Sequence, residues 1–378
     1  MHKTPGFLKR PVRIVQQSSR LARFCSRTTP VWSADYPRLL LHALCLCWRQ
    51  GYSPKEAFRL GLLNANLPAG ELSKNISRKK LTELQQSLNP VSWVPLVRDK
   101  AIFYQYCTAL DIPVPKLYAV FCRPNPWWAH QGRVLSSRCE WIRFFNLDLP
   151  AEFVIKPAHG AFGRGLNILS RTDGGFVGPF KSYKAEDLYE AMHADPEFDS
   201  FVIQQRLQNH PEILRLTGTT YLQTVRIVTL VDASSASRIL YADMKLIMGT
   251  NIIDNVRHGL TGNVSAPVSV KDGLLKHALM FDAKRPGART IHVHPKTAVP
   301  LDGFTLPCWF EASELVKQAA LKFLPLRAIG WDVAITPDGP CILEANSYWD
   351  PPTPSENVPA IIDALSSNLP APGQPANR

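Results

Sequence analysis

The sequence lacks the long apolar segment that a membrane-spanning helix requires. Such a helix needs about twenty consecutive apolar residues, whereas the most apolar candidate, Leu39 to Trp48, is too short and contains His42. The chain start also lacks the apolar stretch and small-residue cleavage site of a secretory signal peptide. We therefore expect a soluble, cytoplasmic protein.

Cysteine pairs and N-terminal acids are also missing. The eight cysteines in 378 residues show neither the paired spacing of zinc sites nor the density of a disulfide scaffold, which predicts reduced thiols. Residues 1–30 contain seven Lys or Arg and no acid, out of a formal net charge of +12 for the chain. This composition predicts a basic flexible arm that is solvated or contacts an anionic membrane or an acidic partner, and it also fits a transit peptide. We expect no nucleic-acid partner.

The remaining composition is that of a folded protein of two or three domains. Hydrophobic residues make up 45% and charged residues 20% of the chain, which excludes a mainly disordered, collagenous or coiled-coil protein. Helical spacing of apolar residues predicts a helical N-terminal region over 31–97. Strand-like runs alternate with helices over 98–352, which predicts an α+β fold, and a C-terminal helix and loose tail follow over 353–378.

Individual elements follow from these patterns. The predicted helices are Tyr36–Arg49, Pro54–Leu63, Asp99–Leu110, Ala185–His193, Glu311–Phe323 and Val358–Ser366. The predicted strands are Phe153–Lys156, Leu166–Ser170, Phe201–Gln205, Gln223–Val231, Arg238–Ile247, Ile291–His294, Gly330–Thr336 and Cys341–Ala345. The segment after Pro115, to about Pro150, is rich in proline and aromatic residues, and its pattern assigns no helix or strand.

The densest chemical signal is a glycine-rich loop between two predicted strands. The first strand ends at Lys156, and Gly160, Gly163 and Gly165 follow. Such glycines let backbone N–H groups point towards phosphate oxygens, with the lysine as a fixed positive charge. The loop matches neither the P-loop nor the Rossmann fingerprint. It predicts a nucleotide phosphate site or, taken alone, an ordinary hairpin turn.

The second signal is a hairpin near the C-terminus that carries carboxylates. The sequence Pro-Asp-Gly-Pro at 337–340 predicts a turn that brings Asp332 beside Glu344 and Asn346. Side chains alternate along a strand, so Glu344 and Asn346 point to the same face. Two carboxylates and an amide oxygen form a hard site suited to Mg²⁺. The alternative is a solvated hairpin with stray charges.

Together these segments resemble the ATP-grasp superfamily. Its members have a strand that ends in Ile-Lys-Pro before a mobile glycine-rich hairpin, and a terminal Asp…Glu-x-Asn set. The resemblance implies an ATP-grasp fold, in which two α+β subdomains clamp ATP, preceded here by the N-terminal helical region. It implies that Mg²⁺ binds to Asp332, Glu344 and Asn346. It also implies that ATP contacts Lys156, Gly160, Gly163, Arg164 and Gly165.

Three further segments extend the resemblance. Asp99-Lys100 before Asp-Ile-Pro-Val-Pro resembles the family's earlier phosphate-binding lysine, which gives Lys100 that role. The run at 201–207 resembles the strand into the adenine hinge and implicates Gln205 and Leu207. Arg226 lies in an apolar strand, where it either pairs with a buried acid or faces the phosphates. The resemblance favours phosphate, so Arg226 and Lys156 are the predicted catalytic residues.

Other runs resemble one family within this superfamily, the sugar-transfer-associated ATP-grasp family. They are Gln208-Asn-His-Pro-Glu212, Thr224-Val-Arg-Ile-Val-Thr229 and Ile329-Gly-Trp-Asp-Val-Ala-Ile-Thr336. The sequence departs from the family at Gly259-Leu260, where a Gly-Gly pair is usual.

The resemblance also implies an activity. It implies an ATP- and Mg²⁺-dependent ligase that activates a small-molecule carboxylate as an acylphosphate for attack by an amine or thiol, in polysaccharide or cell-surface metabolism. The alternatives are a small-molecule kinase on the same site and a non-catalytic ATP-binding regulatory module.

Overall fold

The structure, a computed structural model, describes residues 18–123, 128–130, 133–160, 163–282 and 284–370. Most of the predicted basic arm and the end of the predicted tail lie outside these residues. The described end of the arm is helical at 18–25, where Leu21 and Cys25 are buried. Within the described part of the chain, no helix has both the length and the apolarity to cross a membrane. All eight cysteines are free thiols.

Helices occupy both ends of the described chain and separate its strands. Helices α1 to α10 span Tyr36–Trp48, Pro54–Arg59, Arg78–Leu88, Pro95–Arg98, Lys100–Ala109, Arg138–Arg143, Ala185–His193, Pro211–Thr217, Trp309–Lys322 and Val358–Ser366. Their starts follow capping chemistry, because a side-chain oxygen satisfies N–H groups that lack a partner in the first turn. Ser53 and Glu56 form a capping box at α2, and Asp99 accepts hydrogen bonds from the first N–H groups of α5.

Two antiparallel sheets form the body of the protein. Strands β1 to β15 span Leu117–Cys122, Trp128–His130, Arg133–Leu135, Glu152–Pro157, Asn167–Thr172, Gly175–Val177, Ser182–Tyr183, Ser200–Gln205, Thr224–Val231, Ser237–Leu246, Val264–Val268, Ala278–Phe281, Ala288–Ile291, Ala328–Thr336 and Gly339–Asn346. The six-stranded sheet has the order β1-β8-β4-β5-β6-β7, and the seven-stranded sheet has the order β13-β12-β11-β10-β9-β14-β15. The short strands β2 and β3 pair with each other.

The predicted α+β organisation agrees with these elements, although helix α4 and strands β6, β7, β11 and β12 have no individual prediction. The predicted strand Ile291–His294 is wrong beyond its first residue, since β13 ends at Ile291. The segment without a prediction contains β1, β3 and α6, whose aromatic and apolar side chains form a core beneath the six-stranded sheet. Helices α3 and α8 were not predicted, because their polar faces obscure the apolar spacing.

The N-terminal helical region is joined to the seven-stranded sheet. Leu81 and Leu84 of α3 lie in one core with Val228 of β9 and Val358 of α10. Asn89, which ends α3, is fully buried. Its side chain donates to the Ala328 carbonyl oxygen at 2.7 Å and accepts from the Ala328 N–H at 3.0 Å. This amide thus satisfies both backbone groups at the start of β14, the strand that carries Asp332.

Candidate functional site

A cleft of about 810 Å³ lies between the two sheets. Strands β4 and β8 of the six-stranded sheet form one side, and β9, β10, β14 and β15 of the seven-stranded sheet form the other. All but one of the predicted site residues line this main cleft: Lys100, Lys156, Gly160, Gly163, Arg164, Gln205, Leu207, Arg226, Asp332, Glu344 and Asn346. The structure therefore brings together segments that are nearly 250 residues apart in sequence, while the individual roles stay predictions.

The glycine loop joins β4 to β5 at the mouth of the cleft. Gly163 and Gly165 have positive φ angles of 66° and 71°, a backbone conformation that favours glycine. A Cβ at Gly165, the predicted residue that does not line the cleft, would lie 2.7 Å from the Pro157 ring. Gly165 thus permits the turn. Arg164 pairs with Glu197 and lies over the Phe198 ring, so its guanidinium points to the side of the loop.

Lys156 stands at the floor of the cleft and is 8% exposed. Its Nζ donates a hydrogen bond to the Tyr104 hydroxyl oxygen at 2.8 Å. That hydroxyl lies 2.8 Å from both Gln204 Oε1 and the Leu343 carbonyl oxygen, either of which can accept its proton. Burial and the nearby charge of Lys100 lower the pKa of Lys156 to about 7. The lysine therefore lacks a full negative partner, which a phosphate would supply.

The opposite wall carries a buried ion triad centred on Asp332, which is 4% exposed. Arg226 donates hydrogen bonds to both carboxylate oxygens, from Nε to Oδ1 at 2.5 Å and from Nη2 to Oδ2 at 3.0 Å. Lys245 Nζ lies 2.8 Å from Oδ1. Burial alone would raise the pKa of Asp332, but the two cations outweigh it and hold the pKa well below its usual range. Of the two alternatives for Arg226, the structure shows the pairing with a buried acid, at the edge of the cleft.

The predicted metal residues lie side by side on the hairpin of β14 and β15. Asp332 is directly opposite Glu344 in the strand register, and Asn346 Nδ2 lies 3.3 Å from Glu344 Oε1. The Asp332 and Glu344 carboxyls are within hydrogen-bonding reach of each other. Nowhere in the described residues do three His, Cys, Asp or Glu converge on one point. Two carboxylates and an amide oxygen are donors of the type that Mg²⁺ takes beside waters and substrate oxygens, and Asp332 shares its oxygens with Arg226 and Lys245.

Lys100 approaches the glycine loop from the start of α5. Its Nζ donates to the Gly160 carbonyl oxygen at 3.2 Å, and its backbone N–H donates to the Ala158 carbonyl oxygen at 3.0 Å. At the other end of the cleft, the Gln205 N–H donates to the Lys116 carbonyl oxygen at 2.9 Å. Leu207, two residues further along the chain, also lines the main cleft. These contacts fix the strand at which the adenine contact is predicted.

Sequence reasoning missed two groups at this site. From the sequence, Lys245 fits a surface lysine on an edge strand at least as well as a buried cation, but β10 is an inner strand of its sheet and the lysine side chain is only 13% exposed. The signal was present, since a lysine in an apolar run needs a partner just as Arg226 does. Tyr104, which contacts Lys156, had no signal, because its position in α5 resembles an ordinary core residue.

Two comparisons with known proteins used the sequence. The family model described as sugar-transfer associated ATP-grasp matches residues 79–353. A search of curated proteins finds no match. The matched range contains every predicted site residue.

Comparison with solved structures finds several matches at low identity. Biotin carboxylase from Campylobacter jejuni is 12% identical with a TM-score of 0.44, over 76% of this chain and 50% of that one. D-Alanine-D-alanine ligase from Helicobacter pylori is 11% identical with a TM-score of 0.41, over 75% of this chain and 64% of that one. The chain thus spans between half and two thirds of the length of these two proteins.

The family match covers well over half of the chain. It confirms the resemblance in the sequence and the α+β ATP-grasp fold. Members of the family are generally ATP-dependent ligases and typically use ATP and Mg²⁺. The chain belongs to the sugar-transfer-associated ATP-grasp family.

Proposed function

We propose that this protein is an ATP- and Mg²⁺-dependent ligase that activates a carboxylate as an acylphosphate and transfers the acyl group to an amine or thiol. The observation that carries the proposal is the collection of charges at the main cleft. Lys100, Lys156, Arg226 and Lys245 line it together with Asp332 and Glu344. An excess of cations beside a two-carboxylate metal site matches the needs of a nucleotide triphosphate.

Different side chains of the cleft bind different parts of ATP in this proposal. Lys156 and Lys100 bind phosphate oxygens beneath the glycine loop, and Gln205 and Leu207 face the adenine. Glu344, Asn346 and Asp332 would hold Mg²⁺, which would supply positive charge to the phosphate oxygens. Arg226 and Lys245 stay at the edge of this site, where they neutralise charge on the transferred phosphoryl group.

Chemistry at this site requires no protein base for its first step. A carboxylate oxygen of the substrate attacks the γ-phosphorus of ATP, a new P–O bond forms, and the bond to the bridging oxygen of ADP breaks. The amine nitrogen of the second substrate then attacks the acyl carbon, phosphate leaves with the C–O electron pair, and the amine loses a proton. Lys156, Arg226 and Lys245 act by charge and position in both steps.

Hydroxylamine trapping tests the proposal directly. The protein is incubated with Mg-ATP, hydroxylamine and a pool of small carboxylic acids, and ADP, hydroxamates and phosphoesters are measured by mass spectrometry. A hydroxamate that requires both ATP and protein is the expected product. A phosphoester without hydroxamate would establish a kinase instead, and ATP binding without ADP release would leave only a binding module.

Glu344→Gln is expected to fold normally and lose Mg-ATP turnover by at least about 100-fold. The substitution removes one metal charge at nearly constant shape, and the metal contributes several kcal/mol to the transition state, where about 1.4 kcal/mol corresponds to tenfold in rate. ADP release measures the loss. The matched control is Glu311→Gln on the exposed face of α9, which should turn over like wild type. Turnover by Glu344→Gln equal to that of wild type would contradict the assignment of Glu344 as a metal ligand.

A further inference from the structure

A second cavity of about 140 Å³ lies beside the main cleft. Arg226, Lys245, Asn255 and Asp350 line both spaces, so the second cavity adjoins the main cleft at these side chains. The far side of this second cavity is built by the N-terminal helical region, including residues of α2. A molecule in the second cavity would therefore touch the same cations that face the triphosphate.

Arg59 of α2 has an unsatisfied donor at this cavity, with the charges of Glu56 and Asp350 nearby. Its Nε is buried and has no hydrogen-bond partner among the described residues. The nearby Glu56 carboxylate is occupied by the backbone N–H groups of Arg78 at 2.8 Å and Ser53 at 3.3 Å. The guanidinium lies 5.7 Å from the centre of the Phe281 ring, at the lining of the cavity. A half-buried guanidinium whose buried Nε–H has no acceptor favours an anionic ligand.

The opposite side of the second cavity carries acceptor groups. Asp243 is 8% exposed and accepts from the Thr353 N–H at 3.1 Å. Tyr241 stands beside it and donates to the Asp350 carbonyl oxygen at 3.1 Å. Burial raises the pKa of Asp243 despite Arg226 and Lys245 nearby. A positively charged group in the cavity would compensate this carboxylate.

We propose that the second cavity binds the carboxylate substrate and that this substrate is a compact amino acid. Its carboxylate lies between Arg59 and the shared residues Arg226 and Lys245, where the two spaces adjoin and an oxygen can reach the γ-phosphorus, and its ammonium group faces Asp243. The second cavity is much smaller than the main cleft of about 810 Å³, which favours a compact amino acid over a sugar chain. The inference rests on the ligase function proposed above and adds the substrate class and its position.

Calorimetric titration of the full chain tests this site without turnover. With Mg²⁺ and a non-hydrolysable ATP analogue bound, acetate, glycine, L-alanine and L-serine are titrated separately. We expect at least one amino acid to bind about tenfold more tightly than acetate, because only the amino acid satisfies Asp243. Arg59→Met is expected to weaken that binding by about tenfold or more and to leave affinity for the nucleotide analogue unchanged.

Two variants sharpen the result. Lys55→Met removes an exposed cation from the same helix and should bind the amino acid like wild type. Asp243→Asn keeps the side-chain shape and should bind acetate and the amino acid alike. Absence of binding by all four probes, or equal affinity in Arg59→Met, would overturn the inference. A wild-type protein that binds an amino acid but releases no ADP would contradict the ligase function alone.

A separate observation concerns an exposed apolar face on α1 and the turn before it. Trp32 is 90% exposed, Leu41 70% and Trp48 73%. Leu41 and Trp48 are seven residues apart and share one side of the helix. Arg38 and Arg49 are exposed nearby, and α1 contains no acid. We call these five residues the Trp48 face.

We infer that the Trp48 face docks on an anionic lipid surface. Tryptophan and leucine insert at the boundary between headgroups and acyl chains, and flanking arginines pair with anionic headgroups. Leu41 and Trp48 with Arg38 and Arg49 nearby match this chemistry more closely than they match an acidic protein, which would leave the indole ring in water. The seven basic residues of 1–30 add charge of the same sign.

Vesicle sedimentation with the full chain tests the docking. Binding to phosphatidylcholine vesicles that contain phosphatidylglycerol is expected to exceed binding to pure phosphatidylcholine and to fall with added salt. The triple change Trp32→Ser, Leu41→Ser and Trp48→Ser is expected to reduce binding by about tenfold or more. The control changes three exposed apolar residues elsewhere, Leu147→Ser, Phe180→Ser and Phe310→Ser. No binding by wild type, or equal loss in both triples, would refute the docking.

Discussion

Asp332→Asn is expected to lower the free energy of unfolding by about 3–5 kcal/mol, because it removes the carboxylate that forms ion pairs with two buried cations. Arg226 and Lys245 both contact this carboxylate, and their side chains are 16% and 13% exposed. A neutral amide cannot compensate two positive charges in such a site. Urea denaturation followed by circular dichroism measures the change.

The same hairpin provides the control for this experiment. Asp338 lies at its exposed turn, and Asp338→Asn makes an identical chemical change there. Its effect should stay within about 0.5 kcal/mol. A loss of less than about 1 kcal/mol in Asp332→Asn, the value of an exposed pair, would show that solvent screens the triad.

Lys156→Met is expected to weaken nucleotide binding by about 100-fold while it stabilises the free protein. The lysine is buried beside a tyrosine hydroxyl, and burial and the charge of Lys100 outweigh the attraction of Glu344 and Asp332, so a bound phosphate would compensate the lysine charge further. Replacement of a buried, incompletely paired ion by an apolar side chain of similar volume adds about 1–4 kcal/mol of stability. Equilibrium titration with a fluorescent ATP analogue measures binding, and urea denaturation measures stability.

The pH dependence of stability distinguishes removal of the buried Lys156 charge from a change in side-chain packing. The pKa of Lys156 falls from 10.5 to about 7 on folding, so the unfolded chain binds more protons than the folded protein between these values. The stability of wild type should therefore rise from pH 7 to pH 10 through this group, and Lys156→Met should lack that rise. Lys80→Met, on the exposed face of α3, is the control and should keep the rise in stability with pH. An unchanged slope in Lys156→Met would contradict the assigned pKa.

Local patterns predicted the parts of the site that depend on one hairpin. The turn at 337–340 sets the register of β14 and β15, and strand alternation then places Glu344 and Asn346 on one face. The glycine loop was recognisable for the same reason, since its strands β4 and β5 are neighbours in sequence and in space. In both cases the deciding interactions span fewer than twenty residues.

Contacts between distant segments could not be predicted in this way. Arg226 and Asp332 are 106 residues apart, and nothing local says that β14 pairs with β9. Lys245 is inside its sheet only because β11 adds to the far side of β10. The second cavity requires α2, β10 and the segment after β15 to meet, which depends on tertiary packing that periodicity does not encode.

The Asn89 amide, which satisfies both backbone groups of Ala328, makes the helical region inseparable from the nucleotide-binding strands. A chain that began after this residue would expose an unpaired N–H and C=O at the start of the strand that carries Asp332, at a cost comparable to the protein's whole margin of stability once the lost apolar core is included. Exchange of whole domains is therefore a poor evolutionary route to a new acceptor. We expect acceptor specificity to diversify through point substitutions around Arg59, in an N-terminal region that is inherited together with the two sheets.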